Sequence, residues 1–232
     1  MTLWASPPAP PRAFPLECPP LVVTRRPNFN KALRALIRDI ATRMPEFHHV
    51  KAQRIVLVAG EARRASRGTV KPLCFRGGKS VDRGGRRKPI VRIKGRRMLY
   101  CITLRPLFFR GSTAQARIET IMHELFHCSR RFDGTLHAGR RHDVLGKDFA
   151  RRLRPLVRRY LKGCSRELKA AFAHNGEVRV LQWLERPGPA YIPGYSRVRK
   201  VYTEDQLYYG IARMVTPKPR VARAAPASPK GY

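Results

Sequence analysis

Two histidines four residues apart with a glutamate between them, His123-Glu124-Leu125-Phe126-His127, are the residues of this chain best suited to chemistry. Four residues is a little over one helical turn, so on a helix both imidazoles lie on one face and can reach a single metal ion. Glu124, one step further round, is placed to meet a water on that metal and serve as general base. The chemistry implied is zinc-assisted hydrolysis.

A helix must carry these groups. Ile118, Ile121, Met122, Leu125 and Phe126 recur at steps of three and four, predicting an amphipathic helix within residues 112–128. Ser112 with Gln115 reads as its capping box. A catalytic zinc takes three protein ligands, so a third must come from elsewhere. No glutamate occurs between Glu124 and Glu167, and Arg130 stands where the short H-E-x-x-H-x-x-G-x-x-H pattern needs glycine. His137, His142, Asp143 and Asp148 remain. His142 precedes a new apolar periodicity and can project back from a loop-to-helix junction, which favours it as third ligand, with His137 next. Adjacent His48 and His49 read as solvated.

At 123–143 the sequence resembles a metallopeptidase family of phages and bacteria. The shared elements are HELFH at 123–127, Phe132-Asp133-Gly134 and His142-Asp143. There is a looser likeness to the SprT-like proteases, which also place a third histidine shortly before a helix. Carried over position by position, the resemblance implies His123, His127 and His142 as zinc ligands and Glu124 as the base. His137 and Cys128 are additional side chains that could compete for the metal. The implied fold is a small α+β, zincin-like metallopeptidase domain, with a mixed sheet packed on the active-site helix.

The rest of the chain fits one domain at 28–215 between a Pro-rich disordered arm (1–27) and a disordered basic tail (216–232). A helix is expected after Asn28 or Asn30, carrying Leu33, Leu36, Ile37, Ile40 and Met44 and stopped by Pro45. Strands are expected at 55–59, 70–75, 90–93, 98–104 and 177–184. The 98–104 strand, just before the His-Glu helix, is either an exposed strand that accepts substrate backbone or an ordinary core strand. A helix from Phe149 to Gly163 must kink or restart at Pro155. The aromatics between Tyr191 and Tyr209 suit either base stacking or a hairpin over the core.

Lys+Arg 49 against Asp+Glu 15 gives a net charge of +34. That excess attracts polyanions, so a nucleic acid bound without sequence preference is an expected partner beside a polypeptide substrate. An arginine-rich source genome would produce the same balance. Five scattered cysteines without a C-x-x-C argue against a disulfide framework and suit the cytoplasm. With no run of 18 apolar residues, a membrane span is not expected. A monomer is expected. The rival function from another class is a nucleic-acid-binding protein whose zinc site is structural or vestigial.

Overall fold

A computed structural model describes residues 26–61, 66–194 and 199–217. The expected arm and tail lie almost wholly outside the described residues. The first helix, α1 (Phe29–Arg43), begins where the Asn28 side chain accepts from the Lys31 N–H, and it ends before Pro45. Leu33, Leu36, Ile37 and Ile40 form its buried face. Each such burial contributes roughly 1.5–3 kcal/mol.

Five strands then build most of two sheets: β1 (Ile55–Ala59), β2 (Gly68–Pro72), β3 (Ile90–Ile93), β4 (Arg96–Arg97) and β5 (Tyr100–Leu104). After β5 come α2 (Pro106–Arg110), α3 (Ala114–Phe126), α4 (His142–Leu145), α5 (Asp148–Gly163) and α6 (Arg166–Ala173). Three final strands, β6 (Gly176–Trp183), β7 (Val201–Tyr202) and β8 (Leu207–Met214), complete the order. The main sheet runs β2-β5-β1-β6-β8, and a smaller one runs β4-β3-β7. β5, β1 and β6 are parallel, while β2 and β8 pair antiparallel at the two edges. The fold is therefore α+β with a mixed sheet.

Alternation sorts β1 between two layers, as a strand buried on both faces requires. Ile55 and Leu57 join the helix-side core with Ile102, Ile121, Leu125 and Val157. Val56 and Val58 face the other way, against Val91, Met98 and Tyr202 of the small sheet and its surroundings. β1 and β6 pair only at Ala59 and Gln182. Buried Asn30 bridges the rest of that seam, donating to the Leu57 carbonyl and accepting from the Leu181 N–H, both at 2.7 Å.

Two expectations are narrowed and two corrected. Of its two readings the 98–104 strand is the core strand, flanked by β1 and β2, and β2 holds the outer position on that side. α5 is one helix through Pro155, which lies on its exposed face, so the restart is excluded. The cap of α3 is Thr113, whose hydroxyl accepts from the Ala116 N–H, while Ser112 is buried and donates to the Leu107 carbonyl. The 191–209 aromatics do not form one hairpin: Tyr202 enters the small sheet, whereas Tyr208 and Tyr209 extend the main one. Among the described residues no helix is long and apolar enough to cross a membrane.

Candidate metal centre

The apolar face of α3 is buried through Ile118, Ile121, Met122 and Leu125, which turns His123 to a half-buried position at the rim. His127 is the residue that ends the helix and is 8% exposed. Near its start the helix is fixed by Arg117, fully buried, whose guanidinium donates to the carbonyls of Phe108 (2.9 Å), Phe109 (2.8 Å), Phe172 (2.7 Å) and Val215 (3.1 Å). A buried charge without a carboxylate persists here because its donors find acceptors.

Beyond α3 the chain returns through a tight loop. Phe132 adopts φ 49° and Gly134 φ 84°. A side chain at Gly134 would put its Cβ 2.8 Å from that of Cys74. Asp133 accepts from the hydroxyls of Ser129 (2.7 Å) and Thr135 (2.6 Å) and from the Gly77 N–H (3.1 Å). These bonds hold its carboxyl down at about 2 against the cost of partial burial. The Tyr100 hydroxyl donates to the Thr135 carbonyl at 2.7 Å, tying the loop to β5. The loop delivers His142 at the first turn of α4.

There three imidazoles converge. The Nε2 atoms of His123, His127 and His142 are 3.1, 3.2 and 3.2 Å apart. Ligand nitrogens about 2.0–2.1 Å from a tetrahedral ion are about 3.3 Å apart, so the triangle has the size of a metal site. The His127 Nδ1–H donates to the Arg140 carbonyl at 2.7 Å, which leaves its Nε2 lone pair free to ligate. Arg140 is itself held: its guanidinium lies 4.1 Å over the Phe126 ring and donates to the Phe126 carbonyl. Burial, then the two neighbouring imidazoles, push His123 down to about 3, keeping it neutral at any ordinary pH. Three imidazole nitrogens converging this closely are the donor set that a borderline-soft dication takes.

Phe149, the second residue of α5, forms the apolar floor. Its ring centroid is 4.6, 4.9 and 4.3 Å from those of His123, His127 and His142. The sequence signalled Phe149 only as a core residue of the next helix, and gave no sign of Arg140. His137 is not part of the cluster; its backbone N–H bonds the His127 carbonyl. The Cys128 thiol is also turned away, donating to the Glu124 carbonyl, with burial raising its pKa. Both competing ligands are thus outside the triad. His49, expected solvated, is half-buried.

Glu124 is 5% exposed. Burial pushes its carboxyl up to about 7, opposed by the Val70 N–H and the charge of Arg105. Since Arg67 and Leu73 bond inward to the β5 side, Gly68 and Val70 turn their backbone groups outward. Glu124 therefore sits at the edge of β2 that has no strand partner among the described residues. His142 is exposed, so the triad opens to solvent. Comparison of the chain with protein-family models, curated proteins and solved structures finds no match.

Proposed function

We propose that this protein is a zinc-dependent peptide-bond hydrolase. The observation that carries the reading is the convergence of three histidine Nε2 atoms on a helix that also presents a buried carboxylate one residue from the first ligand. A structural zinc site would close with a fourth protein ligand. Among the described residues no fourth histidine, cysteine or carboxylate joins the three, and the site faces solvent. That favours the open, catalytic form over the structural rival. The likeness of HELFH, Phe132-Asp133-Gly134 and His142-Asp143 to the phage metallopeptidase pattern points the same way.

Zinc in such a site lowers the pKa of a water to about 7 and polarises a carbonyl. The protein's own part is threefold. Glu124 accepts the proton of the attacking water and returns it to the leaving amine; a dication at the histidines favours its carboxylate over the acid. Arg140 orients His127 through its carbonyl. Phe149 excludes water beneath the ligands. The outer edge of β2, beside Glu124, is where an extended substrate backbone would add as a strand.

The test is hydrolysis of unfolded polypeptide and of basic proteins by the parent and by Glu124→Gln. The substitution preserves size and removes basicity, so metal content stays and the rate falls on the order of a hundred- to ten-thousandfold. Equal rates in both proteins would sink the reading.

A further inference from the structure

The metal centre leaves another cleft unused. That cleft, about 900 Å³, lies where the parallel strands β1, β5 and β6 end, among Gly60, Arg105 and Trp183. None of the three histidines lines it. Ligands of open sheets containing parallel strands commonly bind outside the carboxyl ends of those strands.

Its walls are cationic. Lys71, Arg105, Arg110, Arg186 and Arg213 line it against a single carboxylate, Glu61. Net charge alone would place cations anywhere on this chain, but these five share a concave surface. Among the described residues, none of the five forms an ion pair. The Arg105 Nε and Nη1 are enclosed with no hydrogen-bond acceptor among the described residues. Such donors gain most from an anionic acceptor. Lys71 is held in the wall by the carbonyls of Pro187 and Gly188, both at 2.7 Å. The arginine stripe of α5 differs: it is convex helix surface, and Arg151 and Arg159 already pair with Asp148 and Glu46.

Flat rings stand among the cations. Trp183 is half-buried in the wall, and Tyr208, 41% exposed, is positioned by its hydroxyl donating to Gln182 at 2.8 Å. Cations interleaved with aromatic faces in a groove are the pattern that binds an unpaired strand, phosphates on the charges and bases on the rings. A duplex keeps its bases stacked within itself and offers the cleft only its backbone.

We propose that this cleft binds single-stranded nucleic acid without sequence preference, on Lys71, Arg105, Arg110, Arg186 and Arg213, with bases stacking on Trp183 and Tyr208. Arg105 also acts by charge on Glu124, so the test leaves it in place and is read without a protease assay.

The experiment uses the full chain and a fluorescent single-stranded oligonucleotide of roughly ten nucleotides, within the usual range of such sites. Arg110, Arg186 and Arg213 are exposed, so their joint replacement by alanine tests the cleft without emptying a core. Circular dichroism and the thermal transition verify the fold. The triple variant should lose tenfold or more in affinity and flatten the dependence of log affinity on log salt. Arg151, Arg154 and Arg158→Ala on α5 serves as the matched control and should lose far less. Tyr208→Ala should cost about tenfold. The chain has two tryptophans, so in Trp4→Phe the fluorescence of Trp183 reports the cleft alone and should change on binding. Equal loss in the two triple variants, tighter binding of a duplex of the same length, an unresponsive Trp183, or no binding at low salt would each overturn the proposal.

Discussion

Glu124 and Gly68 touch: a Cβ built on Gly68 would lie 3.2 Å from the Glu124 Oε1, and 3.1 Å from the Thr120 methyl. The edge strand and the histidine-bearing helix approach this closely because Gly68 has no side chain. Gly68→Ala must therefore move the carboxylate or separate β2 from α3. The contact demands a shift of a few tenths of an ångström, and misplacing a reacting group costs rate steeply. Hydrolysis should fall on the order of tenfold while metal content stays unchanged, since neither residue is one of the three histidines. Unaltered turnover with normal metal content would show that strand and helix absorb the methyl without moving Glu124.

Arg117 should prove indispensable to the fold. Its guanidinium satisfies four backbone carbonyls from α2, α6 and the end of β8, all packed around the start of α3. Arg117→Ala strands those acceptors in the interior, a loss of about 3–5 kcal/mol by analogy with breaking a buried charged network. Arg117→Lys keeps the charge but has three donors for four carbonyls, so it should recover only part of the loss. Denaturant titration of the two variants measures this; a neutral alanine substitution would contradict the account.

The acid limb of stability should depend on Asp133. Its pKa is depressed from 3.8 to about 2 by bonds that the unfolded chain lacks. A group held below its unfolded value contributes stability at pH above about 4, and that contribution is lost as pH falls toward 2. The melting temperature of the parent should decline over that window, and Asp133→Asn should start lower and decline less. Parallel curves for the two proteins would show that the loop hub is not the titrating element.

The sequence made the metal helix legible because two signals coincided: ligand spacing and an apolar stripe that fixes which side of α3 is buried. His142 was legible by elimination and by its place before an apolar periodicity. The supporting contacts were not. Arg140 acts through a backbone carbonyl, which carries no residue-type signature, and Phe149 looks like any core aromatic at a helix start. The 98–104 strand stayed open between an exposed and a core reading because hydrophobicity marks Tyr100, Ile102 and Leu104 as buried without saying which neighbours pair on either side. β2, expected at 70–75, lies at Gly68–Pro72; its bounds follow from pairing with β5. The cleft at the strand ends was illegible because residues from 59 to 213 meet there only through the sheet order.

The third ligand separates the two downstream histidines most sharply. His142 places its Nε2 within 3.2 Å of both helix imidazoles, whereas His137 lies outside the triad. The purified protein should hold about one zinc per chain, and His123→Ala or His127→Ala should remove most of it. His142→Ala should weaken zinc by more than the ten- to hundredfold typical of losing an outer-shell partner. His137→Ala should stay within that smaller range, because only its backbone meets His127. Competition with a chromogenic chelator gives both affinities on one scale. A larger loss in His137→Ala than in His142→Ala would mean that the loop from Phe132 to Arg140 rearranges on metal binding and that the ligand set must be redrawn. Undiminished zinc in the His123, His127 double variant would end the metal-helix reading itself.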